Sequence, residues 1–326
     1  MNPLISICVP VYNVAPYIER CVRSLMEQTY ENIEYVFVND CSTDSSVEIL
    51  QNSLAQYPDR LPHARIIHND RNHGLAYTRR VSIEAAHGEY ICCVDSDDFV
   101  ETDMVERLHT LLVQKNADVI SGGNYVNWRN KQWAEEPYPA YNDYDSISFN
   151  LRGAFCSLCG ALYKRELFTP DIFSPEGMDY LEDRLCRLKI ALTNAKIVYV
   201  NVLTYHYVIH DNSITATVSD KNMRCFVQFW QTADQLLAER GLTEKYRDLV
   251  AYAKVQNKTS LMLHCNSMQI RKQYAMLFHE EEKTVMHTFS RGFWMMSHLI
   301  HYKLWGLIRL YQCYINVRLF FKRRKT

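Results

Sequence analysis

Up to about Gly123 the chain alternates short, apolar, β-prone runs with segments of helical period, and few folds accept that rhythm. Residues 4–9, 34–38, 64–68, 90–94 and 118–121 read as strands, being short and β-prone, with 90–94 apolar throughout and 4–9 apolar but for Ser6. Between them, residues 17–28 carry Ile18, Cys21, Val22 and Leu25 at helical spacing, and further helices are predicted around 47–56, 75–87 and 102–115. Pro10 is expected to break the first strand, Gly88 to stop the third helix and Gly122-Gly123 to close the fifth strand. A βαβα order predicts an α/β fold, Rossmann-like, with a mostly parallel sheet covered by helices on both faces.

The pattern fails over residues 124–155, a stretch rich in Tyr, Trp, Asn and Pro that reads as loops with short elements shaping a pocket. Residues 196–207 return to β character, and from Lys221 onward the chain is helical in pattern. At 326 residues there is room for two domains, or one with an extension. A net charge of −1 gives no overall pull toward nucleic acid. No basic segment followed by an apolar one opens the chain, and no run of roughly eighteen apolar residues occurs, so neither a signal peptide nor a membrane span is expected. The eleven cysteines lie largely in predicted core segments, which fits reduced thiols in a cytoplasmic protein. Cys156-Ser-Leu-Cys159 is a CxxC without the second ligand pair a zinc site needs.

Carboxylates gather at element ends. Tyr90-Ile-Cys-Cys-Val-Asp95-Ser-Asp97-Asp98 is an apolar strand that ends in three acids within four residues. Open α/β sheets bind ligands at the carboxyl ends of their strands, so Asp95, Asp97 and Asp98 stand where a crevice is expected, and Asp40, at the end of the second strand, can converge on it. Acids this close repel one another unless a cation offsets them, and hard oxygen ligands suit Mg²⁺ or Mn²⁺. The competing reading is local: Asp95 in a turn, Asp97 and Asp98 opening a helix. Glu182-Asp183 is a further acidic pair, which could equally favour the N-terminus of a helix over 184–192. Neither GxGxxG nor GxxxxGK[ST] is present, so a phosphate ligand would depend on metal and basic side chains.

These segments together resemble family-2 glycosyltransferases of the GT-A fold. Ile5-Ser-Ile-Cys-Val-Pro-Val-Tyr-Asn13 resembles that family's opening strand, and Tyr35-Val-Phe-Val-Asn-Asp40-Cys-Ser-Thr-Asp44 its VVDDGSTD segment. Asn72-His-Gly74-Leu-Ala-Tyr-Thr-Arg79 resembles NxGxxxAR, the run from Gly88 to Asp98 resembles GeYixxlDsDD, and Leu181-Glu-Asp183 resembles the ED base motif. Five motifs in order over roughly the first 215 residues are far more specific than one short pattern.

The resemblance implies a GT-A catalytic domain over 1–218, with a nucleotide-sugar half to about 122 and an acceptor half beyond it, and a helical region over 219–326. It implies inverting transfer of a sugar from a UDP-linked donor to a glycan or lipid-linked glycan, in cell-surface polysaccharide assembly. By position, Asp40 is implied to bind the base, Asp95 the ribose or the metal's water shell, and Asp97 the Mn²⁺ or Mg²⁺. Pro10, Tyr12 and Asn13 would line the nucleotide cleft. Arg79 would touch base or phosphate, or else make a surface salt bridge. Asp183 is the implied base, with Glu182 as runner-up; Asp44 reads as a helix cap and Asp98 as a loop organiser. Tyr205-His-Tyr-Val-Ile-His210-Asp-Asn-Ser213-Ile resembles the family's YxYRxxxxSI segment with Val208 at the Arg, and the chain departs from the pattern there and at Asn39, Cys41 and Thr78. With no Arg at 208, His210 or Arg79 is left for the diphosphate. A sugar-phosphate nucleotidyltransferase, or a non-catalytic nucleotide-sugar binder, could use part of this set; the first lacks a Gly-rich basic loop here, and the second would need neither Asp97 nor Asp183.

From Lys283 to Thr326 there are nine Lys or Arg and no Asp or Glu, interleaved with aromatics and aliphatics and closing on Lys322-Arg-Arg-Lys325. That composition predicts a peripheral contact with an anionic membrane, at the inner face of the cell membrane for a cytoplasmic enzyme; the competing reading is a helix packed on the protein with a basic outer face.

Overall fold

The computed structural model describes residues 2–129, 131–135, 145–153, 157–210, 218–308 and 310. The chain divides into two compact units, Met1–Ser213 and Ile214–Thr326.

In the first unit the elements run β1 (Ile5–Val11), α1 (Ile18–Met26), β2 (Ile33–Asn39), α2 (Ser46–Leu54), β3 (Ala64–His68), α3 (Leu75–Glu84), β4 (Tyr90–Cys93), β5 (Phe99–Val100) and α4 (Met104–Lys115). They continue through β6 (Val119–Trp128), β7 (Lys131–Glu135), α5 (Ser146–Arg152), β8 (Ala161–Lys164), α6 (Glu182–Ala191) and β9 (Ile197–Ile209). One sheet holds all nine strands in the order β3-β2-β1-β4-β8-β6-β9-β5, with β7 on β6. From β3 to β4 every pairing is parallel; beyond β4 the sheet mixes directions, β8 running antiparallel to both β4 and β6 and β9 parallel to β6. The chain steps outward from β1 to β2 to β3 and then crosses back to β4. Right-handed crossovers therefore put α1 and α2 on one face and α3 on the other. The switch point lies between β1 and β4, and a crevice opens at their carboxyl ends. Every residue of β1 and β4 is buried, as strands covered on both faces must be. Burial also pushes the thiols of Cys8, Cys92 and Cys93 up, so they serve as core side chains.

Three sequence expectations need correction. Pro10 does not end β1; it pairs in register with Val38. Cys8 accepts from Val94 N and so faces β4, whereas Val11 accepts from Asp40 N and faces β2. By alternation Pro10 faces the β4 side, where the ladder has already stopped at Cys8–Cys93, so its missing N–H costs no bond. Gly88 does not cap α3, which ends at Glu84. It packs against β1 so closely that a Cβ would lie 2.6 Å from Ser6 Oγ, and its N–H donates to that oxygen. Gly122-Gly123 does not close a strand either: β6 runs through the pair with a register shift and continues to Trp128.

Glu34 of β2 is the polar centre of this region. Its carboxylate accepts from Ser6 Oγ (2.5 Å), His87 N (2.5 Å), Gly88 N (3.0 Å) and Arg65 Nη2 (2.9 Å), linking β1, β2, β3 and the turn before β4. Burial alone would raise its pKa, but these donors overcome that and hold it at about 2. A carboxyl whose folded pKa is depressed contributes stability that is complete above its unfolded value and is lost as pH falls through the folded one. Glu34→Gln should therefore cost about 1–3 kcal/mol at neutral pH, the range for a buried polar group robbed of its partners. Urea midpoints of the two proteins should converge between about pH 4 and pH 2; a gap that does not change with pH would remove this role.

The second unit comprises α7 (Asp220–Glu239), α8 (Thr243–His264), α9 (Met268–Tyr274), α10 (His279–Val285) and α11 (Arg291–His301). Ser219, Ser267 and Ser290 each accept a backbone N–H at the start of α7, α9 and α11, the capping that Ser chemistry favours. Phe226, Phe229, Trp230 and Ala233 of α7 and Ala253, Val255 and Met262 of α8 are buried. The acid-free stretch divides. Met296, Ile300, Trp305 and Ile308 are buried, while Trp294, Tyr302, Leu304, Leu307 and Leu310 are exposed. The basic run 322–325 lies outside the described residues. No described helix is long and apolar enough to cross a membrane.

Candidate active site

The crevice is built from the ends of β1, β2, β4 and β9 and the start of α6. Asp40 follows β2 and is buried; its carboxylate accepts from Asn69 Nδ2 (2.7 Å), His73 N (2.9 Å) and Gly74 N (2.8 Å). That fixes the turn leading into α3 and leaves about one of a carboxylate's four acceptor positions for a ligand. Gly74 is required there: φ is +90°, and a Cβ would lie 2.3 Å from Asp179 Oδ1. Asn13, itself at positive φ, accepts from Thr43 N (2.8 Å), and its own N–H donates to Ser42 Oγ (3.2 Å). Tyr12 beside it is half exposed, so the segment Pro10–Asn13 borders the loop after β2. Asp44 caps the start of α2 with its side chain, although the residue directly before the helix is Ser45, which makes no such bond. Asp44 accepts from Ser46 N, Ser46 Oγ and Ala15 N, and these bonds outweigh partial burial to lower its pKa.

The three acids after β4 take three different environments. Asp98 is buried against β9, accepting from Tyr205 OH (2.5 Å) and Val208 N (2.8 Å). Burial and then the charges of Asp97 and Asp95 raise its pKa well above the ordinary range. Asp97 is partly exposed, and its Oδ2 lies 2.8 Å from His210 Nε2, at the end of β9. Burial and Asp95 raise its pKa, with His210 opposing. The grip of Asp98 on Val208 thus sets His210, two residues on, beside Asp97. The His210 ring also stacks on Tyr17, centroids 4.5 Å apart. Asp95 accepts from Arg79 Nη2 at 2.8 Å.

Arg79 is 4% exposed and not on the surface, so the reading as a surface salt bridge is corrected. Its second partner is Glu182 Oε1 at 3.5 Å, so one guanidinium joins the acids after β4 to the start of α6. Glu182 is buried there, whereas Asp183 is partly exposed. Burial raises the pKa of both; for Glu182 the neighbouring charge of Asp183 adds to it, while for Asp183 Arg79 opposes it.

The residues present fit a divalent cation. Asp97 and His210 direct a carboxylate oxygen and an imidazole nitrogen at one another, with the negative charge of Asp95 alongside.

A sequence model described as Glycosyl transferase family 2 matches residues 6–169. The chain belongs to that family. GlyG, a glycosyltransferase of Streptococcus pneumoniae, is 34% identical over 68% of this chain and 75% of its own. GlyA from the same organism is 33% identical over 73% of this chain but only 35% of its own length, and the EpsJ glycosyltransferase of Bacillus subtilis is matched over 64%. The chain thus spans well under two thirds of one of these relatives and just under two thirds of another. Among solved structures, S. aureus TarS 1–349 in complex with UDP-GlcNAc aligns with a TM-score of 0.59 at 17% identity, covering 94% of this chain and 92% of that one. The mannosyltransferase PcManGT of Pyrobaculum calidifontis, in complex with GDP-Man and Mn²⁺, aligns at 0.56 and 18% identity, covering 93% and 85%. The fold is the GT-A fold.

Against the family-2 pattern, two of the four departures, Cys41 and Val208, have local explanations. Cys41 stands at the family's Gly with φ +57°, the left-handed region that explains a Gly there; its thiol donates to Asn69 O. Val208 serves through its backbone N–H, which any side chain provides. Tyr17, Asn69 and Tyr205 were not singled out as functional from the sequence. Tyr205 OH, which also accepts from Asp95 N at 3.2 Å, sat in plain view in the segment Tyr205-His-Tyr-Val-Ile-His210; the other two carried no local signal.

Proposed function

We propose that this chain is an inverting glycosyltransferase that moves a sugar from a UDP-linked donor to a hydroxyl of a glycan or lipid-linked glycan in polysaccharide assembly. The observation that carries the reading is the division of labour among the acids. Asp40 and Asp97 follow the carboxyl ends of β2 and β4, the two strands that flank β1. Arg79 ties Asp95 to Glu182, which leaves Asp183 as the partly exposed carboxyl of the pair. The nucleotide sugars bound by TarS and PcManGT support a donor of this class.

In this reading Asp40 accepts from the base, and Pro10, Tyr12 and Asn13 flank it. Asp97 and His210 hold the cation, which when bound supplies Lewis-acid stabilisation of charge on the diphosphate. Asp183 takes the proton of the acceptor hydroxyl as its oxygen bonds to the anomeric carbon. The bond from that carbon to the β-phosphate oxygen breaks, and UDP leaves with the electron pair. The half-exposed Trp128 and Trp133 offer apolar faces of the kind that cover a sugar ring. The acid-free segment after residue 282, with its exposed Trp294, Tyr302, Leu304, Leu307 and Leu310, supports contact with an anionic membrane that carries the acceptor. Because Ile300, Trp305 and Ile308 are core residues, the membrane test is removal of 311–326 only, read by sedimentation with anionic vesicles.

Incubation with a panel of UDP- and GDP-sugars and Mn²⁺ should release UDP from at least one UDP-sugar, slowly by hydrolysis and faster with acceptor. Release of pyrophosphate from UTP and a sugar phosphate would instead identify a nucleotidyltransferase. Binding without turnover of any donor would leave a sensor.

A further inference from the structure

We propose that His279, Glu282 and His301 form a binding site for a divalent transition-metal ion of the Zn²⁺ class, made of residues the transfer reaction does not use, that joins α10 to α11. His279 and Glu282 are three residues apart on α10 and so share one side of the helix. His301 is the last residue of α11.

Glu282 is the centre of the arrangement. Its side chain is 6% exposed, and one of its oxygens, Oε1, accepts from the ammonium of Lys258 and from Ser297 Oγ. Lys258 is itself anchored by donation to Leu277 O (2.9 Å) and Ala275 O (3.3 Å). With Oε1 held from behind, Oε2 is presented to both imidazoles: 3.3 Å from His301 Nδ1 and 3.8 Å from His279 Nδ1. All three ligand atoms lie within 4.8 Å of one another. A tetrahedral ion with bonds of about 2.0–2.2 Å places its ligands about 3.3–3.5 Å apart, so the cluster is close to the spacing such an ion requires. A carboxylate oriented by its other oxygen is the usual support for a metal ligand.

A second observation points the same way. His279 Nδ1 is buried and has no hydrogen-bond partner among the described residues. A buried polar atom left unpaired is costly, and this one faces the carboxylate from beyond hydrogen-bonding distance. An ion between them supplies its partner. Two imidazoles and one carboxylate select zinc-like ions over Mg²⁺ or Ca²⁺, and the partial exposure of both histidines leaves room for water as a fourth ligand.

The test uses the full chain carrying Asp97→Ala, which removes a ligand of the other site. Stripped of metal and titrated with Co²⁺, it should take up one ion and develop the visible bands of four-coordinate cobalt. Zn²⁺ should displace that ion and raise Tm. His279→Ala and His301→Ala, each added to this background, should weaken uptake by roughly 10²-fold or more. If either Ala variant fails to fold, His279→Gln and His301→Gln take its place, and the Co²⁺ spectrum of the Asp97→Ala chain stands by itself. Absence of four-coordinate bands, no binding below about 100 µM, or uptake untouched by the histidine substitutions would overturn the site. A histidine pair that merely shares a proton would give the first of these results.

Discussion

Asp97→Ala should lower kcat by about 10²-fold or more, the loss expected when a ligand to the group that stabilises a leaving diphosphate is removed. The expectation rests on how Asp97 is held. Its carboxyl is partly shielded from water, Asp95 repels it, and His210 faces it at 2.8 Å. An ionised carboxylate in that position is unfavourable alone and favourable beside a cation. His210→Ala should weaken activity through the same ion, and the double variant should be little worse than Asp97→Ala, because ligands of one ion act as a unit. The concentration of Mn²⁺ giving half-maximal rate separates this from a folding defect: it should rise in His210→Ala while the far-UV spectrum is unchanged. Full turnover in Asp97→Ala would remove the metal from the reaction as drawn. Asp98→Asn gives a different pattern. Asp98 sits behind the site and sets β9 against the loop, so its loss should disturb the placing of His210 and raise the Mn²⁺ concentration for half-maximal rate less than His210→Ala does.

Much of this arrangement was legible in the sequence, and the reasons are physical. Strands buried on both faces are largely apolar runs, so β1, β2 and β4 stood out, and the acids after β2 and β4 pointed at the crevice. Punctuation was harder. Pro10 and Gly88 are read as breakers by local rules, but a proline facing the unpaired side of a strand breaks nothing, and a glycine can be demanded by a neighbouring strand instead of by a helix end. The partners of charged residues were not legible at all. That Arg79 lies inward between Asp95 and Glu182, or that Asp98 bonds to a backbone N–H 110 positions away, depends on tertiary closure that no local window contains. The C-terminal stretch showed a mixed signal for the same reason. Its aromatics and aliphatics serve two ends, some closing a helical core and others facing outward, and composition cannot divide them.

The sharper test of the transfer chemistry is the acidic pair at the start of α6. Asp183→Asn should lower kcat by about 10²- to 10⁴-fold, the range for loss of a positioned general base, with little change in donor KM. Glu182→Gln should behave otherwise, since Glu182 is a buried partner of Arg79: it should cost stability and loosen Asp95, moving Tm and donor KM more than kcat. The pH profile adds a sign. Burial raises the Asp183 pKa, with Arg79 opposing, above the ordinary aspartate value of about 3.9. A base works ionised, so kcat/KM should be full above that raised value and fall as pH drops through it, placing the acid limb higher than an ordinary aspartate would. In Asp183→Asn the residual rate should lose the part of that limb owed to Asp183 and keep the part owed to Asp97, whose pKa is also raised. If Asp183→Asn turned over undiminished while Glu182→Gln lost both kcat and the limb, the proton would pass to Glu182, and Arg79 would have to release it when substrate binds.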